Sequence, residues 1–280
     1  MSDSELPNAL FLGTARAGST WLASQLRAHP DVFVPAAKDL YFFDREYGRG
    51  EEWYRSHFRE GRHSSVRIDI SHDYFHSPAA AQRIRRDLPD AKLICALREP
   101  AAWIESILSN SIRNGARRGS FDRMVGDQLG VIAAGLYSRY VEMWLTATGP
   151  EQLIFYPFED LKRDPNRLLS RLLSFLEVDP HSSALDPAQV VNAAAEPRSR
   201  LMAGLTRRAA VLVRGAGRPD LVGRVKSSPF AERLLYRESV RPFRLEEEDR
   251  HTLREFFRPD VERTETLLHL DLCNRWGYGS

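Results

Sequence analysis

Residues Gly13 to Trp21 read G-T-A-R-A-G-S-T-W, and no other stretch limits the fold of this chain as tightly. The apolar run Ala9-Leu10-Phe11-Leu12 leads in and the helix-compatible Leu22-Ala23-Ser24-Gln25-Leu26-Arg27 leads out, giving the order strand, turn, helix. Two glycines let backbone amides crowd around an anion, and the N-terminus of the helix adds partial positive charge. The stretch predicts a phosphate site at a strand tip. Measured against G-x-x-x-x-G-K-[ST], Gly13, Gly18 and Thr20 fit, but Ser19 stands where a nucleoside-triphosphate site carries lysine. The nearest replacement cation is Arg16, inside the turn. A guanidinium fork grips non-bridging oxygens without a metal, which suits a single 5′ phosphate-like group better than a Mg-bridged triphosphate.

Further strands and helices alternate behind this turn. Ser65 to Ile70 alternates like a half-buried strand, Lys92 to Leu97 is an apolar run of the kind found in a central parallel strand, and Leu153 to Tyr156 is a third. Helical spacing marks Glu51 to His63, Pro78 to Leu88, Gly135 to Trp144, Leu168 to Leu176 and Glu246 to Leu272. The pattern predicts a three-layer, P-loop-like α/β fold with a mainly parallel central sheet flanked by helices. At 280 residues the chain is expected to form one domain over 1–280, with 180–244 a less regular, arginine-rich lid or acceptor-side segment. Within it Leu201, Leu205, Ala209 and Leu212 alternate with arginines as a basic amphipathic helix would.

Composition removes several function classes. A net charge of +2 gives no nucleic-acid footprint. No apolar run reaches the length of a membrane span, although the basic helix leaves peripheral membrane contact open. The acidic opening Met1 to Pro7 lacks the features of a secretory signal, and Cys95 and Cys273 make neither a disulfide framework nor a metal motif, so a reducing cytoplasm is expected. Of 40 basic residues only Lys38, Lys92, Lys162 and Lys226 are lysine, an arginine bias expected of a GC-rich bacterial genome. His72 and His76 lie four apart in H-D-Y-F-H, but the stretch lacks the metalloprotease glutamate and runs into Pro78, so no zinc helix is expected.

R-A-G-S-T-W-L resembles the 5′-phosphosulfate loop of the sulfotransferases that use 3′-phosphoadenosine 5′-phosphosulfate (PAPS), in which K-S-G-T-T-W-L or R-S-G-T-T-x-L is usual. Three more stretches resemble the family in its own order: His29-Pro30-x-Val32 with Lys38-Asp39-x-x-Phe42-Phe43, Leu97-Arg98-Glu99-Pro100 with Ser106, and Tyr156 to Pro165. The resemblance implies that Arg16 and the amides of Ala17, Gly18, Ser19 and Thr20 hold the 5′-phosphosulfate. It implies that Arg98 and Ser106 bind the 3′-phosphate and that Trp21 and Phe158 hold adenine. For the base it offers two residues: His72, aligned with the histidine of the cytosolic branch, or Asp39, aligned with the glutamate of the glycan branch. Histidine suits the task because its ordinary pKa lies near neutrality. The implied reaction moves a sulfuryl group to a hydroxyl of a carbohydrate or natural product, needs no metal and leaves 3′-phosphoadenosine 5′-phosphate (PAP). Two other classes compete: a P-loop kinase or other NTPase using Asp69 as a Walker-B-like acid, and a non-enzymatic module binding nucleotides or anionic lipids through the late arginines. Segments 36–63, 109–130 and 180–244 are the ones expected to choose an acceptor.

Overall fold

The computed structural model describes residues 5–113, 121, 126, 129–180, 195–197, 236–238 and 243–279. Five parallel strands form its main sheet: β1 (Ala9–Gly13), β2 (Val32–Phe33), β3 (Val66–Ile70), β4 (Lys92–Leu97) and β5 (Leu153–Pro157), in the order β2-β3-β1-β4-β5. The chain fills one side of β1 with β2 and β3, then crosses to fill the other with β4 and β5. The carboxyl ends of β1, β3 and β4 therefore meet at a topological switch point, where open α/β sheets leave a crevice for ligands.

Side-chain alternation along the strands makes the three layers. Leu10 and Leu12 of β1 and Leu93, Cys95 and Leu97 of β4 face one core, while Ala9, Phe11, Ile94 and Ala96 face the other. The second core is closed by α1 (Ser19–Ala28) and by a later helix, Pro165–Phe175. The first is closed by α2 (Glu51–Ser56), α3 (Pro78–Asp87), α4 (Pro100–Arg113) and by helices further along the chain. Those are α5 (Leu129–Ala134), α6 (Ser138–Ala147), α9 (Glu247–Leu268) and α10 (Leu272–Trp276), while α7 (Phe158–Arg163) and α8 (the Pro165–Phe175 helix) pack on the second core. A short antiparallel pair, β6 (Ala195–Pro197) with β7 (Tyr236–Glu238), completes the described elements.

Helix starts follow their side chains. Ser77 accepts from the amide of Ala80 ahead of Pro78, and Asp164 accepts from the amide of Arg167 ahead of Pro165, so α8 begins three residues before the apolar pattern at Leu168.

Three expectations need correction. The helix predicted over Glu51 to His63 stops at Ser56, and a single 3-10 turn follows at Arg59–Gly61, where a β-carbon on Gly61 would lie 2.2 Å from Cγ of Phe33. The helix predicted from Gly135 starts at Ser138 instead, because Asp260 of α9 accepts from the amides of Tyr137 (2.6 Å) and Ser138 (3.3 Å) and fixes the start there. Strand β3 is buried on both faces rather than half-buried: Ile68 and Ile70 pack in the second core, and Arg67 and Asp69 are buried on the opposite face. Its Arg67 is satisfied by the carbonyls of Leu6 and Ser64, each at 2.8 Å. Most of 109–130 and 180–244 lies outside the described residues.

Candidate active site

The turn after β1 is shaped by two positive-φ glycines. At Gly13 (φ 139°) a β-carbon would lie 2.5 Å from the carbonyl oxygen of His72, so the exits of β1 and β3 touch backbone to backbone. At Gly18 (φ 90°) a β-carbon would lie 2.8 Å from Leu161 of α7, which closes over the turn. The far side of the turn is fastened to β4 and α4. Thr14 donates to the carbonyl of Ala96 from its amide at 2.8 Å, and the Trp103 indole donates to the carbonyl of Ala15 at 2.8 Å.

Arg98 leaves the tip of β4 and donates from Nη1 to the carbonyl of Arg16 at 3.1 Å. Arg16, itself at φ 61°, donates from Nε to Ser106 Oγ of α4 at 3.3 Å. The three residues predicted to grip the two ends of one ligand thus form one cationic cluster. Arg98 lies over the ring of Phe158, 5.0 Å from its centroid, and its Nε is buried with no hydrogen-bond partner. Desolvation pulls its guanidinium below the usual arginine value, against the opposing pull of Glu159, Tyr137, Glu105 and Glu99. A buried donor without a partner is costly, and an anion would satisfy it. Sequence reasoning missed what holds this cluster in place. Tyr137 donates to the carbonyl of Arg98 at 3.0 Å, and Glu99 caps α4 by accepting from the amides of Ala101 and Ala102. Beside Ser106, Glu105 accepts from Arg244 and from the amide of Leu245, tying in the chain before α9.

The end of β3 carries the second cluster. His72 Nδ1 lies 2.6 Å from Asp39 Oδ1, their side chains 24% and 19% exposed. With the carboxylate accepting from Nδ1–H, Nε2 is left as the acceptor, and Tyr41 Oη donates to it at 3.0 Å. Asp73 Oδ1 is 3.6 Å from the same Nε2. Asp39 and Tyr41 both sit in the left-handed region, at φ 65° and 52°. They are held there by hydrogen bonds that the amide of Asp39 donates to the carbonyl of Ile70 (2.9 Å) and the amide of Tyr41 donates to Ser71 Oγ (3.1 Å). Such conformations cost about 1–3 kcal/mol each and cluster at functional sites. The two alternative bases are therefore one hydrogen-bonded pair. Lys38 precedes them, its Nζ donating to Ser19 Oγ at 3.0 Å and to Thr20 Oγ1 at 3.2 Å at the start of α1.

Comparison with known proteins agrees with this geometry. Residues 6–195 match the family described as the sulfotransferase domain. The chain belongs to that family. Among curated relatives, mouse heparan sulfate glucosamine 3-O-sulfotransferase 3A1 is 29% identical over 181 residues, covering 61% of this chain and 46% of the mouse protein. The bifunctional heparan sulfate N-deacetylase/N-sulfotransferase 1 of Caenorhabditis elegans is 29% identical over 191 residues, covering 62% of this chain and 22% of that protein. The match thus spans less than half the length of either relative. In fold the chain is similar to a sulfotransferase from Alicyclobacillus acidocaldarius, with a TM-score of 0.71 at 23% identity over 96% of this chain and 98% of that one. A mouse sulfotransferase complexed with PAP matches with a TM-score of 0.53 at 14% identity, over 95% and 87% of the two chains.

Within this sulfotransferase domain the remaining predicted residues lie as follows. Trp21, a predicted adenine contact, is 5% exposed and packs in the second core with Leu22 and Leu26. Phe158 is half-buried between two cations, Arg98 and Lys162, each 5.0 Å from its ring centre. Ala17 is fully buried, so only its backbone can serve a ligand. Asp69, the acid of the kinase alternative, is 1% exposed and accepts from Tyr54, Tyr74 and Ser71; burial raises its pKa to about 6. It braces the strand end and has no free face for a metal–phosphate complex. His76 turns its Nε2 to the carbonyl of Ala134 at 3.1 Å, away from the His72–Asp39 pair. No helix among the described residues is long and apolar enough to cross a membrane.

Lys38 is the residue that sequence reasoning named without using. One signal for it was present: a lysine three residues before the aromatic run that begins at Tyr41, in a chain that draws most of its positive charge from arginine.

Proposed function

We propose that the domain transfers a sulfuryl group from PAPS to a hydroxyl of a carbohydrate or related small molecule. The observation that carries this reading is the buried, partnerless Nε of Arg98, set beside Arg16 and Ser106 at the strand tip next to the phosphate turn. An anion there would complete a donor set that the fold leaves open. PAPS brings the sulfuryl group already attached to a phosphate, which departs as PAP. For that ligand the turn amides from Ala17 to Thr20 and the N-terminus of α1 supply the 5′ end, and Arg98 with Ser106 supplies the 3′ end. The cations that meet the anion are side chains, which supports transfer without a bound metal.

His72 is the base in this proposal and Asp39 is its positioning partner. Asp39 fixes the tautomer, so that Nε2 faces outward as an acceptor, and steadies the imidazolium that forms when the acceptor hydroxyl gives up its proton. Tyr41 Oη marks the place on Nε2 that the acceptor hydroxyl must take. The curated relatives, named for heparan sulfate, support a carbohydrate as the acceptor class. The ties from Glu105 and Asp260 to the chain around α9 support one catalytic unit over the whole sequence.

Calorimetry of PAP against ATP tests the class before any acceptor is known. Binding of PAP with little response to Mg-ATP is expected. The reverse preference would return the kinase reading.

A further inference from the structure

We propose that the outer face of α7, with the first turns of α8 and the facing side of α10, is a second binding site, separate from the transfer centre, for an acidic saccharide. It would hold a stretch of the carbohydrate acceptor away from the reacting hydroxyl, and to that extent it rests on the acceptor class proposed above.

The site is a cavity of about 470 Å³ lined by four arginines (Arg163, Arg167, Arg171 and Arg275), two aspartates (Asp160 and Asp164) and one leucine. Its volume is that of a small-ligand site, but its walls are charged where such sites are mostly apolar. Helical spacing sets it apart from the phosphate turn. Phe158 and Leu161, three apart on α7, meet Arg98 and Gly18, whereas Asp160 and Arg163, also three apart, line the cavity on another face.

The arginines are not placed for the stability of the fold. Of the four, Arg275 alone is ion-paired among the described residues, to Asp160. Arg171 reaches the carbonyl of Phe155 at 3.5 Å. Arg167 stands in the first turn of α8, where the helix dipole disfavours a cation, and four residues before Arg171, a like-charged spacing that also disfavours the helix. Three exposed guanidiniums thus converge on one cavity against the preference of the helix that carries two of them. An anion in the cavity would offset that repulsion.

The other wall residues narrow the ligand class. Asp164 accepts from the amide of Arg167 at 2.9 Å and Asp160 accepts from Arg275, yet a carboxylate has about four acceptor positions, so both keep capacity for hydroxyl donors. The guanidinium forks suit sulfate or carboxylate groups. A ligand that brings anionic groups and free hydroxyls together is an acidic saccharide. Single-stranded nucleic acid is held by aromatic stacking, and no aromatic side chain among the described residues lines this cavity. An anionic membrane surface is met by a basic cluster rather than by a concavity that includes two carboxylates. Because α7 serves both places, a saccharide chain lying across that helix would be gripped at both.

Calorimetry on the full chain with a heparin-derived hexasaccharide, its desulfated and carboxyl-reduced counterpart, and PAP tests the site. Arg163→Ala/Arg167→Ala is compared with Arg85→Ala/Arg86→Ala, which removes the same charge from the last turn of α3. The first pair should weaken the sulfated hexasaccharide roughly 10- to 100-fold, the value of lost charge-assisted contacts, and leave PAP within about twofold. The second pair should leave both ligands within about twofold, and the neutral counterpart should bind wild type at least about 10-fold more weakly than the sulfated one. Equal losses in the two pairs would reduce the effect to net charge and overturn the site. Unchanged hexasaccharide affinity in Arg163→Ala/Arg167→Ala, or a parallel loss of PAP, would overturn it as well. If an oligo-dT strand or phosphatidylserine vesicles bind more tightly than the hexasaccharide through the same two arginines, the saccharide assignment fails. A wild-type chain that binds the hexasaccharide and not PAP would strike the PAPS reading and leave this site standing.

Discussion

Arg98 reaches its place along a buried parallel strand and opens a helix capped by the next residue, whereas Asp39 and Tyr41 reach theirs through two left-handed residues in an irregular connection. The first arrangement costs little locally, because sheet register and helix capping would put an arginine there in many α/β chains. The second holds only because Ile70, at the end of β3, and Ser71, just beyond it, accept the bonds that keep the connection bent. The half of the site proposed to grip the ligand thus inherits its geometry from the sheet, and the half proposed to handle the proton from a local backbone distortion that its neighbours stabilise. Substitutions in the first should register in affinity, and those in the second in turnover.

The most severe test of that division is His72→Ala. Removing the base should lower turnover on the order of 10²- to 10⁴-fold, measured by transfer of labelled sulfate, while PAP affinity stays within about twofold. A comparable loss of PAP affinity would dissolve the distinction between the halves. Arg98→Met should show the mirror image, with PAP affinity in calorimetry falling roughly 10- to 100-fold because a buried charge-assisted contact is lost. If affinity is unchanged, Arg98 is not the anchor.

Asp39→Asn sharpens the comparison inside the second half. Without the carboxylate the imidazolium that forms in transfer loses its charged partner. Turnover itself should drop about 10-fold through loss of orientation. A loss as deep as that expected of His72→Ala would give Asp39 the base role directly.

The mildest effect separates the two histidines that follow β3. Burial holds His76 down at about 4, against an ordinary 6.5. Between those values the unfolded chain takes up a proton that the fold refuses, so stability falls as pH drops through the window, by up to about 3 kcal/mol. Asp69 acts with the opposite sign: the fold keeps a proton up to about 6 that the unfolded chain releases near 3.8, so its contribution is lost as pH rises across that range. Denaturant melts of wild type and His76→Gln compared at pH 7 and pH 4.5 cancel the Asp69 share. The variant should lose less stability on acidification, and equal losses would show that His76 titrates normally.

The anchor half was largely readable in the sequence, and for a physical reason. Gly13, Gly18, Arg98 and Ser106 occupy fixed offsets from strand ends and helix starts, and those boundaries are written in apolar periodicity. The pairing of Asp39 with His72 was not readable, because it depends on two left-handed residues that no composition rule requires at an aspartate and a tyrosine. Nor was the reach of Lys38 to the start of α1, which follows from the path of the same connection. The depth at which Trp21 is buried was unreadable for another reason. The first turn of α1 faces both ligand and core, and sequence spacing does not tell which side of that turn an aromatic residue takes.

At Gly13, the backbones of two strand exits lie closer than any side chain would permit. The interval from phosphate turn to proton acceptor is in effect a ruler cut into the main chain, and side-chain drift cannot lengthen it. Descendants of this scaffold that take up new acceptors would have to remodel the surrounding walls and leave the span between the reacting groups untouched.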